Sequence, residues 1–153
     1  MAVEIAKEFE VPQPVDEVWA FLTSPERVAE CLPGGKLLEE VDERTFRGEM
    51  GLKLGPIGAT FEGTITFDRL DEENHVVEMS GKGKDRGGTG SARMSMTSAL
   101  ESTEEGGTRV KAHQTVSLSG KLASFGRSGV VQGVADFMFG RFTDCVEKKL
   151  AGG

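Results

Sequence analysis

Residues 46–67 read FRGEMGLKLGPIGATFEGTITF, and the alternation within this stretch decides the fold. In an extended strand, successive side chains point to opposite faces. Phe46, Gly48, Met50, Leu52 and Leu54 therefore share one face. Beyond the Gly55-Pro56 turn, Ala59, Phe61, Gly63, Ile65 and Phe67 share the same face of the next run. Two such runs joined by a short turn make an antiparallel hairpin. Its apolar face carries glycine where a solid core would place Val or Ile. Glycine recurs at Gly81 and Gly83, in phase with Val77 and Met79. Missing side chains on a buried face leave room there, either for a bulky neighbouring element or for a ligand. The alternative is that these glycines only let the sheet bend.

Both flanks of the hairpin carry the same period. Val3–Val11 alternates cleanly and ends at Pro12 and Pro14. Further strands are expected over Lys36–Val41, Thr45–Leu54, Ala59–Leu70, Val76–Lys84, Gly90–Leu100 and Thr108–Ser119, separated by short turn-rich connections. Two short helices interrupt them. Val15, Val18, Trp19 and Leu22 have helical spacing, and Ser24-Pro25-Glu26 supplies an N-cap and a first-turn proline. The last helix is expected over Ser124–Leu150, with Val131, Val134, Ala135, Met138, Phe142, Cys145 and Val146 on one stripe. The order predicts an α+β domain spanning residues 1–153. A curved, seven-stranded antiparallel sheet would wrap around a long C-terminal helix, burying one face of each.

Composition narrows the function. The 153 residues carry a formal net charge of -7, which disfavours nucleic acid and electrostatic attachment to anionic lipid. No apolar run approaches the ~20 residues a bilayer span needs. The N-terminal segment lacks the basic and apolar regions of a secretory signal. Cys31 and Cys145 lie far apart without metal-ligand spacing, so free, packed thiols in the cytoplasm are expected. No cofactor or metal site is indicated.

The whole chain resembles the carbon monoxide dehydrogenase CoxG family, within the START-like, or SRPBCC, helix-grip superfamily. The resemblance rests on Pro-Gln-Pro-Val-Asp-Glu-Val-Trp after the first strand, Cys31-Leu32-Pro33-Gly34, Lys53-Leu54-Gly55-Pro56-Ile57 with Phe61-Glu62-Gly63, the glycine-rich block Gly81–Gly90, and Ala123-Ser124-Phe125-Gly126. It implies a helix-grip fold with a hydrophobic cavity between sheet and C-terminal helix. It also implies association with a molybdenum-containing carbon monoxide dehydrogenase or related hydroxylase, in maturation, membrane recruitment or supply of a lipophilic quinone. Some members have a C-terminal extension suited to membrane attachment. This chain ends at Gly153, so at most peripheral contact with the inner face of the membrane is expected.

Alternation places Phe46, Met50, Phe61, Ile65, Met79, Met94, Met96 and Val116 on the inner face, opposed by Val134, Met138 and Phe142. Methionine repacks readily around an apolar guest, but it also fills gaps in ordinary cores. Gln114 interrupts the apolar phase, and its amide needs a partner in a ligand, in backbone or in water. Together these twelve residues form the expected ligand site. Lys7 also breaks phase and is expected to snorkel outward. His75 and His113 are expected at the surface, and no Asp, Glu or His is identified on the inward phase, so catalysis is not expected. The Gly81–Gly90 run lacks the phosphate-loop order. It is expected to form a hairpin at the cavity mouth, and Lys82, Lys84 and Arg86 within it form a basic patch suited to an acidic partner. Gly126, Gly129, Gly133 and Gly140 cluster on one arc of the last helix, which is either a loosened lid or a sign that the helix starts later, near Ser128. The favoured function is non-enzymatic binding of a quinone- or lipid-like molecule. The alternative is an assembly or recruitment factor acting through the surface loops Pro33–Lys36 and Gly81–Gly90, with no required ligand.

Overall fold

The computed structural model describes residues 2–54, 57–126 and 129–152; the expected Gly55-Pro56 turn lies outside them. The chain runs β1 (Ala2–Val11), α1 (Val15–Leu22), α2 (Pro25–Glu30), β2 (Lys36–Glu40), β3 (Thr45–Leu54), β4 (Ile57–Asp71), β5 (Val76–Asp85), β6 (Gly90–Ser102), β7 (Thr108–Gly120), a 3-10 turn (Lys121–Gly126) and α3 (Val130–Leu150). The seven strands form one antiparallel sheet in the order β1-β7-β6-β5-β4-β3-β2. The strand expectations hold to within a residue or two, because alternation and turn chemistry agree at the boundaries. Ser24 caps α2 by accepting the Arg27 amide.

Register explains the inner face. Three cross-strand rows lie side by side there. The first is Phe46-Ile65-Gly81-Met94-Val116 and the second Gly48-Gly63-Gly83-Ala92-Leu118. The third is Phe67-Met79-Met96-Gln114-Ile5. The second row is nearly devoid of side chains, yet much of the room expected there is filled. A Cβ on Gly63 would lie 1.9 Å from the Lys82 carbonyl oxygen, and one on Gly48 would lie 2.8 Å from that of Lys36. The neighbouring backbone itself presses against these positions, so these glycines let the sheet bend. At Gly81 the space is covered by side chains, with Ile65 Cδ1 at 2.6 Å and Met94 Cε at 3.6 Å from a Cβ position.

Three further expectations are corrected. The last helix begins at Val130, not Ser124. Gly129 stands before it with φ 79, a left-handed backbone that L side chains avoid. Only Gly133 and Gly140 of the glycine arc therefore lie inside the helix. The cysteines are not free: Cys31, at the end of α2, and Cys145, on α3, form a disulfide with Cα atoms 5.4 Å apart. They are packed in the core as expected, but free thiols no longer argue for a reducing compartment. His75 is not simply solvated. It lies edge-on to Trp19 with ring centroids 5.6 Å apart, and its Nε2 is 3.1 Å from Asp16.

Candidate functional site

Most buried apolar side chains fall into two separate clusters, while Ile5 and Val131 are buried outside both. The larger joins Val11, Val18, Trp19, Phe21, Cys31, Phe67, Val77, Leu100, Val110, Val146 and Leu150, so it ties α1, α2 and the C-terminal half of α3 to the sheet. The smaller contains Ala59, Phe61 and Leu122, with Met50, Ala92, Leu118, Val130 and Val134 packed around it. Ile65, Met94, Met96, Gln114, Val116 and Met138 belong to neither cluster. All six are on the inner face or on α3, and none is fully buried; Ile65 is 36% exposed.

The path of α3 accounts for this gap. Its closest approaches to the sheet are to β1 and β3, near opposite flanks. The sheet thus curls until both flanks meet the helix, which bridges over β4–β7. Flexible methionines and branched aliphatic side chains of mid-sheet and helix are taken up by neither packed cluster. Such a surface suits an apolar guest of variable shape.

The expected site residues distribute accordingly. Phe46, Met79 and Phe142 pack against the larger cluster, and Phe46 meets Phe67 edge-to-face at 5.9 Å. Met50, Phe61 and Val134 belong to the smaller one. The remaining six belong to neither. Gln114 among them is half-buried. It offers one amide, donor and acceptor, within an otherwise apolar lining.

Lys7 corrects its expectation. It does not turn away from the helix; it pairs with Asp136 of α3 and lies 5.6 Å from the centroid of Phe139. Phe139 in turn packs edge-on against Phe9 at 5.8 Å. With Gln132 donating to the Glu4 carbonyl at 3.2 Å, these contacts fasten α3 to β1.

One buried carboxylate lies on the inward phase, where none was expected. Asp85 is in register with Phe61 and is 8% exposed. It accepts the Thr89 hydroxyl at 2.5 Å and the Thr89 amide at 3.2 Å. The Thr89 hydroxyl foremost holds its carboxyl below the usual range, with backbone amides adding to the effect. Asp85 thus staples the β5–β6 turn. The Leu122 amide reaches the Thr89 carbonyl at 3.2 Å, so this hairpin is anchored to the 3-10 turn. The spacing of Asp and Thr around Gly87-Gly88 is the available signal, but a strand ending at Lys84 stops one residue short of it.

The basic patch is also redrawn. Arg86 is engaged by Glu62 at 2.8 Å and by Glu49. His113 is 58% exposed and stands 3.6 Å from Glu4, at the surface as expected. No group of metal-ligating side chains occurs among the described residues. No helix among them is long and apolar enough to cross a membrane.

The sequence pattern of the carbon monoxide dehydrogenase CoxG family matches residues 8–151. The chain belongs to the CoxG family. No curated protein matches it. Among solved structures, a conserved protein from Geobacillus kaustophilus superposes with a TM-score of 0.87 at 19% identity, covering 98% of this chain and 96% of its own. The Zhui aromatase/cyclase from Streptomyces sp. R1128 gives 0.71 at 13% identity, covering 99% and 94%. Norcoclaurine synthase from Thalictrum flavum, in complex with dopamine and hydroxybenzaldehyde, gives 0.66 at 17% identity, covering 99% and 88%. At these identities the likeness concerns the fold alone, which is the helix-grip arrangement of sheet and terminal helix.

Proposed function

We propose that this CoxG-family protein carries a lipophilic small molecule, quinone- or lipid-like, in a chamber under α3 without transforming it. In this reading it serves as an accessory to a molybdenum-containing carbon monoxide dehydrogenase or related hydroxylase. The division of the core carries the proposal: Ile65, Met94, Met96, Val116 and Met138 belong to neither packed cluster and retain exposure that a continuous core would remove. Phe46, Met79 and Phe142 form one end wall and Met50, Phe61 and Val134 the other. Gln114 meets a carbonyl or hydroxyl of the guest, which fixes its orientation. Carriage without chemistry is supported by Asp85, whose carboxylate is already engaged by the turn it staples. Family membership supports the partner.

Native mass spectrometry and organic extraction of the purified protein test the cargo, together with titration by a short-chain quinone followed by amide chemical shifts. Shifts are expected at Met94, Met96, Gln114 and Met138. Ile65→Trp fills the chamber and is expected to abolish them while leaving the fold intact. Gly63 cannot serve this purpose, because even a methyl group there meets backbone. An unliganded protein whose chamber residues ignore quinones and fatty acids alike would remove the basis of the reading.

A further inference from the structure

The outer face of the sheet, opposite the chamber, has its own pattern. Thr66, Ser80, Ser95 and Thr115 face one another across four strands. Beside them runs the row Thr64-Lys82-Arg93-Ser117. Because most of these side chains are short, the two rows form an open trough of about 440 Å³. Lys82 and Arg93 stand directly opposite each other, an arrangement of like charges that destabilises a ladder. Lys84 lies two residues along the same strand, on the same face.

These three cations are exceptional. Every other basic residue described on β4–β7 has an acidic neighbour: Arg69 pairs with Asp71 and Glu78, Arg109 with Glu8, Glu10 and Glu101, Lys111 with Glu101, and His113 approaches Glu4. Lys82, Lys84 and Arg93 have no ion pair among the described residues, on a chain of net charge -7. Uncompensated like charges facing each other over a trough of hydroxyls lower stability and raise affinity for an anion.

We infer that this outer face docks an extended acidic segment of a partner protein. Lys82 and Lys84 are spaced by two residues of strand, about 6.6–6.8 Å, the same interval as alternate carboxylates on an extended peptide. A segment lying along β5 places one carboxylate over the Lys82-Arg93 pair and the next at Lys84. The segment then crosses the hydroxyl row at Ser80, two residues before Lys82 on the same face. The N–H and C=O groups of these central strands are already used in the ladder, so the sheet gains no strand. Recognition is by side chains and is sensitive to salt. A flat anionic bilayer fits poorly, because Glu4, Glu62 and Glu78 rim the patch through the adjoining register positions. Free phosphate lacks the backbone donors or buried cation that would hold it. The proposal does not rest on the cargo: the side chains of the two rows stand on the face opposite the proposed chamber, and of the inner-face residues only Gly81 and Met94 also border the trough.

The test is fluorescence anisotropy of a dye-labelled peptide of alternating Glu and Ser, at low and physiological ionic strength, with amide shifts mapped in parallel. Saturable binding that perturbs Ser80–Lys84 and Ser91–Ser95, and weakens at least about tenfold in Lys82→Ser/Arg93→Ser, is expected. The variant should melt no lower than the parent, because it removes an opposition of like charges. Should it fail to fold, Arg93→Gln with the shift map of the parent protein decides. The inference is overturned if the parent binds no peptide at low ionic strength, if the variant binds equally well, or if the shifts map elsewhere. It is likewise overturned if inorganic phosphate competes at equal concentration or phosphatidylglycerol vesicles bind more tightly than the peptide.

Discussion

Along α3, Val146 is wholly buried and Leu150 is 7% exposed, both within the larger cluster. At the other end, Val130 and Val134 are half-buried against only three buried residues. The C-terminal half also has a disulfide to α2 and an ion pair from Lys149 to Glu30 at 3.0 Å. The N-terminal half follows a left-handed glycine and contains Gly133 with open space around it. One helix is thus tied covalently to α2 at one end, whereas the other is held by Val131, 8% exposed, and by the noncovalent contacts of Gln132, Asp136 and Phe139 to β1. Local opening is cheapest where no covalent tie holds the helix, so a guest is expected to enter the proposed chamber at the Val130 end.

The sharpest challenge to this contrast is a pair of truncations. Phe21→Ala, at a side chain 1% exposed, should cost about 3–5 kcal/mol in chemical denaturation. Met138→Ala should cost less than about 1 kcal/mol, because this side chain is only half-buried and belongs to neither cluster. Equal costs would mean that the core is continuous and the chamber filled.

Next in size is the bridge between Cys31 and Cys145, which closes a loop of 114 residues. Replacing both cysteines by Ala should remove about 2–5 kcal/mol, and it should accelerate amide exchange most in Phe142–Leu150. If exchange rose instead at Val130–Gly133, the anchor would have been placed at the wrong end.

Gly133→Ala acts at the end without the covalent tie. A Cβ there meets nothing within 4 Å, so the helix should gain about 1 kcal/mol. Slower release of a bound quinone in stopped-flow displacement would identify this segment as the gate. Unchanged release with raised stability would locate the gate elsewhere. Gly129→Ala is unsuitable for the same purpose, since its φ of 79 makes any side chain strained.

The smallest effect concerns acid. The folded Asp85 carboxyl titrates below its ordinary value of 3.8, with the Thr89 hydroxyl as the foremost cause. Its contribution is complete above that value and disappears as pH falls through the lower, folded one. Asp85→Asn should therefore lower the melting temperature near neutral pH, and the difference from the parent should shrink below about pH 4. A difference independent of pH would mean that shape, not charge, secures the β5–β6 turn.

Much of this fold is legible in the sequence because the strand period and the turn residues make independent, agreeing statements. Thr45–Leu54 and Val15–Leu22 end where the pattern ends. What escapes depends on curvature. Alternation correctly sends Gly63 inward, but only the bent sheet brings the Lys82 carbonyl into the space above it. Cys31 and Cys145 meet because the sheet curls until α2 and α3 touch, and no local signal records that encounter. Within the candidate site, alternation identifies the inner-face residues. It cannot separate Met94 and Met96, outside the clusters, from Met79, which packs on one of them. That separation is set by where α3 crosses. Arg93 escapes for a related reason: its place opposite Lys82 is a matter of register between strands.

The closure of the sheet has a consequence for the nascent chain. β1 finds its partner only in β7, with Ala2 opposite Ser117 and Val11 opposite Thr108. During synthesis, β1 leaves the ribosome ahead of the other six strands of its sheet and must wait unpaired until β7 has been made. A waiting strand with Ile5, Phe9 and Val11 on one side is an aggregation hazard. Glu4, Glu8 and Glu10 occupy its other side, and like charges between neighbouring nascent chains discourage their pairing. The acidity of β1 thus protects the chain during an interval that the finished molecule no longer displays.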